Sequence, residues 1–424
     1  MESSSRMTNS GMNSGNARRA CVFALSLGAL ALVGCRTQDF PTYPANYREY
    51  AYVTNGGSGT VTVLDVVNVR VDRELQVGQN PVAVAASPTR NEVYVVNQGA
   101  TNQGGAGGQG SLSVIDSEKN QVVATIPLHR QPVSIEIDQT GKLAYVANAG
   151  SNSISVLDLK NRREAAQVGV GEGPAAARLS PDGKTLVVAN RQGNSVTVMD
   201  AAAMYVRGVF EGCPGASDVV VLPDSSKTFV SCSGGHQVMA IALARVSQPA
   251  GPQQAAAAAQ PDKLESLMDV GRGPVELALK PDGGEVFVVN RQSDTISEVI
   301  TGTDDVQGAY MMGDAPVNGL VSRDNSLLYV SNLRSQNVIV YSIDDGHRVG
   351  WAQVGDGPSA MAFSAAGHLL FVVDERSGDV AAVPTASTSL FTPQQAGRGP
   401  TAPFALLPTG RAPNAIVDKA FKVQ

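Results

Sequence analysis

A five-residue phrase recurs eight times along the 424-residue chain, and its spacing limits the fold more than any composition can. It opens as Ala51-Tyr52-Val53-Thr54-Asn55 and returns as VYVVN ending at Asn97, AYVAN at Asn148 and LVVAN at Asn190. TFVSC at Cys232, VFVVN at Asn290, LYVSN at Asn332 and LFVVD at Asp374 complete the series. The last residues of successive copies lie 42, 51, 42, 42, 58, 42 and 42 positions apart. A fixed period of this kind marks a repeat architecture, whose units bury their apolar faces only by stacking on neighbours.

Each phrase is followed by a second apolar run, such as TVTVLD to Asp65 or SISVLD to Asp158, with the period-2 alternation of a strand. A third run leads into a Gly-Pro corner, and a fourth ends in a turn such as Ser180-Pro181-Asp182-Gly183-Lys184. Four short strands per repeat, with almost no helical periodicity, predict an all-β fold, a β-propeller of four-stranded blades. Eight copies predict eight blades, or seven if one copy is degenerate. The corner prolines are Pro81, Pro132, Pro174, Pro214, Pro274, Pro316, Pro358 and Pro400. The segment after Pro400 echoes the one after Pro274, so the chain is expected to start at the second strand of a blade and to close the ring with a first strand from its C-terminal end. Closure by both termini leaves no long exposed edge.

These phrases resemble the YVTN family of β-propellers, named for the residues that stand here as Tyr52-Val53-Thr54-Asn55. The resemblance covers roughly residues 50 to 408. It implies the fold. Relatives of this look include surface-layer and periplasmic binding propellers, lactonase-like enzymes and quinoprotein dehydrogenase-like chains, so activity has to be argued from the site.

Ahead of the repeats, Arg18-Arg19, an apolar run from Ala20 to Val33 and Gly34-Cys35 read as a secretory signal over 1–34, too short for a membrane span. Leu32-Val33-Gly34-Cys35 resembles the bacterial lipobox, which implies acylation of Cys35 and a stable lipid anchor. Residues 35–49 then form a tether, 50–410 the propeller and 411–424 a tail with no assigned role. Arg36 lacks the acidic character of an inner-membrane retention signal, which favours the outer membrane. Two interruptions, Gly99 to Gly110 and 246 to 262, read as surface insertions within blades. The formal charge of −6 gives no reason to expect a nucleic-acid partner.

Strand ends and Pro corners share one side of the propeller, the corner face; the Pro-Asp-Gly turns lie on the other. The recurring asparagines are expected to bond their own backbone two residues on and set the following turn. Cys213 and Cys232 fall on the corner face of one blade and are candidates for a disulfide in an oxidising compartment. No His or Cys grouping has metal-ligand spacing, and no cofactor is implied. Counting four residues past each corner proline gives Glu136, Arg178 and Asp218; counting two gives Glu276 and Asn318. These side chains face one side of the innermost strand, either as a satisfied salt bridge or as the lining of a polar pocket.

Seven arginines lie in corner-face loops: Arg130, Arg272 and Arg398 before corner prolines, and Arg191, Arg291, Arg334 and Arg376 after the repeated strands. Their planar forks suit carboxylate, sulfate or phosphate oxygens, unless acidic residues on the same face pair them locally. The leading expectation is a lipid-anchored, extracytoplasmic binding or scaffold propeller, monomeric, with an anionic glycan or protein partner. The alternative is a periplasmic lactonase-like hydrolase, with Glu136, Glu276 or His129 as its base.

Overall fold

Each repeat folds into one antiparallel sheet whose second strand is apolar on both faces and whose third, alternating Ser or Thr with apolar residues, is buried on both. The computed structural model describes residues 41–100, 108–244, 260–385 and 401–423. Within them, 32 strands form eight four-stranded sheets, the blades of a β-propeller. A second strand such as Thr185–Asn190 is buried along its whole length, since a neighbouring blade covers each face. The outer strand Arg163–Gly169 instead exposes every second residue. Among the described residues no helix is long and apolar enough to cross a membrane.

We number the blades I to VIII from the one containing Tyr47–Asn55. The innermost strands of II to VIII are Pro81–Ala86, Pro132–Ile137, Pro174–Leu179, Ala216–Val221, Pro274–Leu279, Pro316–Val321 and Pro358–Phe363. Each contacts the next, and Pro413–Lys422 fills the gap between the last and the first. That strand pairs with Tyr47–Asn55 and completes blade I. The termini therefore close the ring as expected, but with a different segment. Gly410-Arg411-Ala412-Pro413 is the true last corner, and residues assigned to a tail form the closing strand. The echo after Pro400 misled because Ala405–Pro408 is an apolar strand too, the outer one of blade VIII. Pro400 itself lies outside the described residues. The first strand begins at Tyr47, within the stretch expected to be a tether.

The asparagines do not bond their backbone two residues on. They are buried, so their amides reach across the hairpin: Asn190 donates to Ser195 Oγ at 3.2 Å and Thr197 Oγ1 at 2.9 Å, and Asn55 to Thr60 and Thr62. Asn97, Asn190, Asn290 and Asn332 also pack on a corner glycine 19 residues earlier, and Asn55 packs on Gly410 of the last corner. A Cβ on Gly171 would sit 2.6 Å from the Asn190 side chain, and one on Gly271 equally close to Asn290; no real side chain tolerates that approach. In blade V the same two positions carry Cys213 and Cys232, which form a disulfide across 19 residues. The bridge replaces the glycine–asparagine contact and contributes roughly 3 kcal/mol in the chain-entropy model.

Candidate functional site

The channel at the centre of the ring carries its polar groups on one arc. Blade V corrects the count that located them: Ala216, not Pro214, pairs with Cys232, as Pro174 pairs with Asn190. Asp218 is therefore two residues into its inner strand, level with Glu276 and Asn318 and one step nearer the corner face than Glu136 and Arg178. Blades III to VII supply Glu136, Arg178, Asp218, Glu276 and Asn318. At the same two levels blades VIII, I and II carry Ala360 and Ala362, Ala415 and Val417, and Ala83 and Ala85.

The structure brings the five polar residues together. Arg178 lies 3.7 Å from Glu136 and 3.8 Å from Asp218, with 41% of its side chain still open. These separations exceed those of charge-assisted hydrogen bonds; the guanidinium donates to the Ala177 carbonyl at 3.4 Å and keeps further donors for a ligand. Asp218 is anchored from the other side, its Oδ2 accepting the Leu277 N–H at 3.0 Å. Glu276 Oε1 accepts from Asn318 Nδ2 at 2.9 Å. Burial pushes the Glu276 carboxyl well above the usual carboxylate range and the Asp218 charge adds to this, against Arg178 and Asn318. The cluster thus combines a fixed cation with a carboxyl that holds its proton more tightly than usual, the pairing expected where acid–base chemistry or ligand selection occurs.

The corner arginines divide. Arg334 pairs with Asp314 at 3.7 Å and Arg376 with Asp356 at 3.3 Å, while Arg130 donates to the Gly150 carbonyl at 2.8 Å. Arg191, Arg272 and Arg291 are exposed and make no side-chain hydrogen bond or ion pair among the described residues. Arg398 and the lipobox residue Cys35 lie outside them. The position equivalent to Arg398 at the true last corner is Arg411, which sequence reading passed over.

His129 does not reach the channel; its Nε2 lies 3.1 Å from Glu164 on an outer strand. His236 Nδ1 accepts the Gly273 N–H at 3.2 Å. That latch between blades recurs as Asn152 to Gly173 and Asn194 to Gly215. Among the described residues no three His, Cys, Asp or Glu side chains group to hold a metal. A cavity of about 170 Å³ between blades VII and VIII, lined by Arg323, Tyr329 and Phe363, shares no residue with the channel cluster.

No family model and no curated protein matches the chain. Solved structures do. The periplasmic gluconolactonase PpgL of Pseudomonas aeruginosa is 18% identical with a TM-score of 0.54, over 88% of this chain and 98% of that one. Dihydro-heme d1 dehydrogenase NirN, solved in complex with DHE, is 14% identical with a TM-score of 0.64, over 91% and 78%. Kuenenia stuttgartiensis hydrazine synthase is 21% identical with a TM-score of 0.52, over 79% and 92%. Identities this low establish a shared propeller fold and nothing finer.

Proposed function

We propose that the chain is an extracytoplasmic, lipid-anchored propeller whose channel cluster hydrolyses a sugar-derived lactone. The observation that carries this reading is Arg178 held between Glu136 and Asp218 in an open channel, with Glu276 on the neighbouring strand. In this reading Arg178 donates to the lactone carbonyl oxygen, where negative charge develops as water attacks. Glu276, as carboxylate, takes the proton of that water and returns it to the ring oxygen as the C–O bond breaks. The product is a hydroxy acid. The gluconolactonase among the structural neighbours supports the substrate class, and the Cys213–Cys232 disulfide supports an oxidising compartment.

A second reading, binding without catalysis, is favoured by the unpaired Arg272 and Arg291. Both stand on the blade that carries Glu276, at the corner where its inner strand begins. There they would grip a carboxylate or phosphate on the ligand. One set of measurements separates the readings: proton release from D-glucono-1,5-lactone and from its 6-phosphate, followed with a pH indicator, beside calorimetric binding of the corresponding acids. Hydrolysis above the spontaneous rate that is lost in Glu276→Gln supports the first. Acid binding without hydrolysis, weakened in Arg272→Ala/Arg291→Ala, supports the second. A wild type that neither hydrolyses nor binds refutes both.

A further inference from the structure

Blade I alone is assembled from both ends of the chain, so the seam where the ring closes is the pairing of Pro413–Lys422 with Tyr47–Asn55, beside blade VIII. One pair of carboxyl groups spans that seam, and a second stands in the adjoining hairpin of blade VIII. At the turn face, Glu49 lies opposite Ala420 in the ladder, and Asp418 is two residues before Ala420. The two acids are therefore diagonal neighbours on one face of the sheet, close enough for the Glu49 charge to raise the Asp418 carboxyl. The Ala365 N–H of blade VIII donates to Glu49 Oε1 at 2.7 Å, and the Tyr47 hydroxyl donates to Oε2. Asp418 Oδ1 is buried with no donor.

At the corner face, Asp374 ends the second strand of blade VIII, where six of the other blades have asparagine. It is fully buried and directly opposite Asp379. Its Oδ2 accepts the Gly355 N–H at 3.0 Å, but Asp374 Oδ1 and Asp379 Oδ1 both lack donors. The hairpin they close lies beside the chain's entry into the last strand. Asp379 pairs with Pro408, and the Thr409 N–H bonds to Gly378 O one residue before the final corner.

Basic groups near these pairs are already engaged. Arg323 of blade VII bonds to the Ala365 carbonyl at 2.6 Å and only partly offsets the acids. His368 contacts Tyr43 and Ser364, and Lys419 turns toward blade II, where it bonds to Ser87 O at 2.6 Å. Arg376, two residues past Asp374, reaches Asp356 and the Leu333 carbonyl instead. Carboxylates in contact cannot both ionise, and an oxygen without a donor is satisfied when its neighbour carries a proton.

We propose that the closing seam is a proton-dependent lock, in which each carboxyl pair holds one proton while the ring is closed and releases it when the seam opens. Burial, with the Asp379 hydrogen bond and charge, pushes Asp374 up to about 8, and burial with the Glu49 charge pushes Asp418 up to about 9. Both values lie above those of a free carboxyl. The stabilisation is therefore complete in acid, declines as pH rises from the ordinary carboxylate range, and is exhausted above the folded values.

Hydrogen exchange of the full chain, read peptide by peptide between pH 5 and 10 and corrected for intrinsic rates, tests the lock. Protection in peptides covering 47–55, 369–384 and 413–422 should fall about tenfold per pH unit for each proton released, levelling off above about pH 9. Peptides from blades III to VI should show no such slope. Asp374→Asn and Asp418→Asn should each remove one proton from the slope, and Glu49→Gln provides a second probe of the lower pair. Seam peptides that track blades III to VI across this range, or an unchanged slope in Asp374→Asn/Asp418→Asn, would overturn the proposal.

Discussion

Exchanging the blade V disulfide for the pair used by its neighbours tests whether the repeat register assigned to that blade is physical. Cys213 and Cys232 occupy the positions of Gly171 and Asn190, 42 residues earlier. Cys232→Asn alone breaks the bridge and sets an asparagine against the Cβ of Cys213, the contact that measures 2.6 Å when a Cβ is placed on Gly171. The cost is the cross-link, roughly 3 kcal/mol, plus overpacking of about 1–3 kcal/mol. Cys213→Gly with Cys232→Asn removes that Cβ. It loses the cross-link but not the fit, and the introduced amide regains at most about 1 kcal/mol of hydrogen bonding. The double variant should therefore be less stable than wild type by about 2–3 kcal/mol, yet more stable than Cys232→Asn. Urea denaturation under oxidising conditions, read from the single tryptophan Trp351, gives the order directly. A single variant as stable as the double one would mean that blade V does not share the glycine–asparagine geometry, and the register would be wrong.

Asp374→Asn restores the residue of the repeat, and its Nδ2 should donate to Asp379 as Asn332 donates to Asn337. With the native carboxyl at about 8, the variant should gain a few kcal/mol over wild type near pH 8 and lose that advantage at pH 4, as seen in urea midpoints at the two pH values. Because Glu276 must be ionised to act as a base, kcat/KM for a lactone should rise with pH through a value well above the ordinary carboxylate range; a flat profile down to pH 5 would exclude it. Arg178→Lys should lower kcat more than it raises KM, since a point charge cannot reproduce the planar donors, and equal effects on both would assign Arg178 to ground-state binding. Cys35→Ala should move the protein from the membrane to the soluble fraction, and mass spectrometry of the wild-type N-terminal peptide should show a diacylglyceryl adduct.

The fold was legible because a blade is a local unit. Strand alternation, corner and turn all fall inside one 42-residue period, and eight copies leave little freedom in the count. Ring closure is not local, and two segments competed for it. The stretch after Pro400 matched an inner strand in pattern, whereas Pro413–Lys422 carries Asp418 and Lys419 among its apolar residues and so resembles the repeat less. The channel residues could be found by counting from the prolines, but Pro214 stands two residues ahead of the strand start and moved Asp218 to the wrong level. The carboxyl pairs had one visible trace, the aspartate in the asparagine column at position 374. Glu49 and Asp418 had none, because their contact exists only once the last strand is placed beside the first.

The two non-repeating devices of the ring occupy opposite sides of it. In a circle of eight, blade V is the fourth neighbour of blade I in either direction, so the disulfide faces the seam where the termini meet. Asp218 lies two residues past Ala216, and Ala216 pairs with Cys232. The covalent bridge therefore fixes the corner from which Asp218 reaches Arg178 on one side and the Leu277 N–H on the other. The polar arc of blades III to VII is centred on this blade and avoids the seam altogether. Opening of the seam would disturb Ala360, Ala415 and Ala83 first, the side of the channel with no polar group at those levels. A propeller closed by strand pairing, with local opening free energies set by its weakest seam, can in this way keep its candidate site on the part of the ring that stays shut.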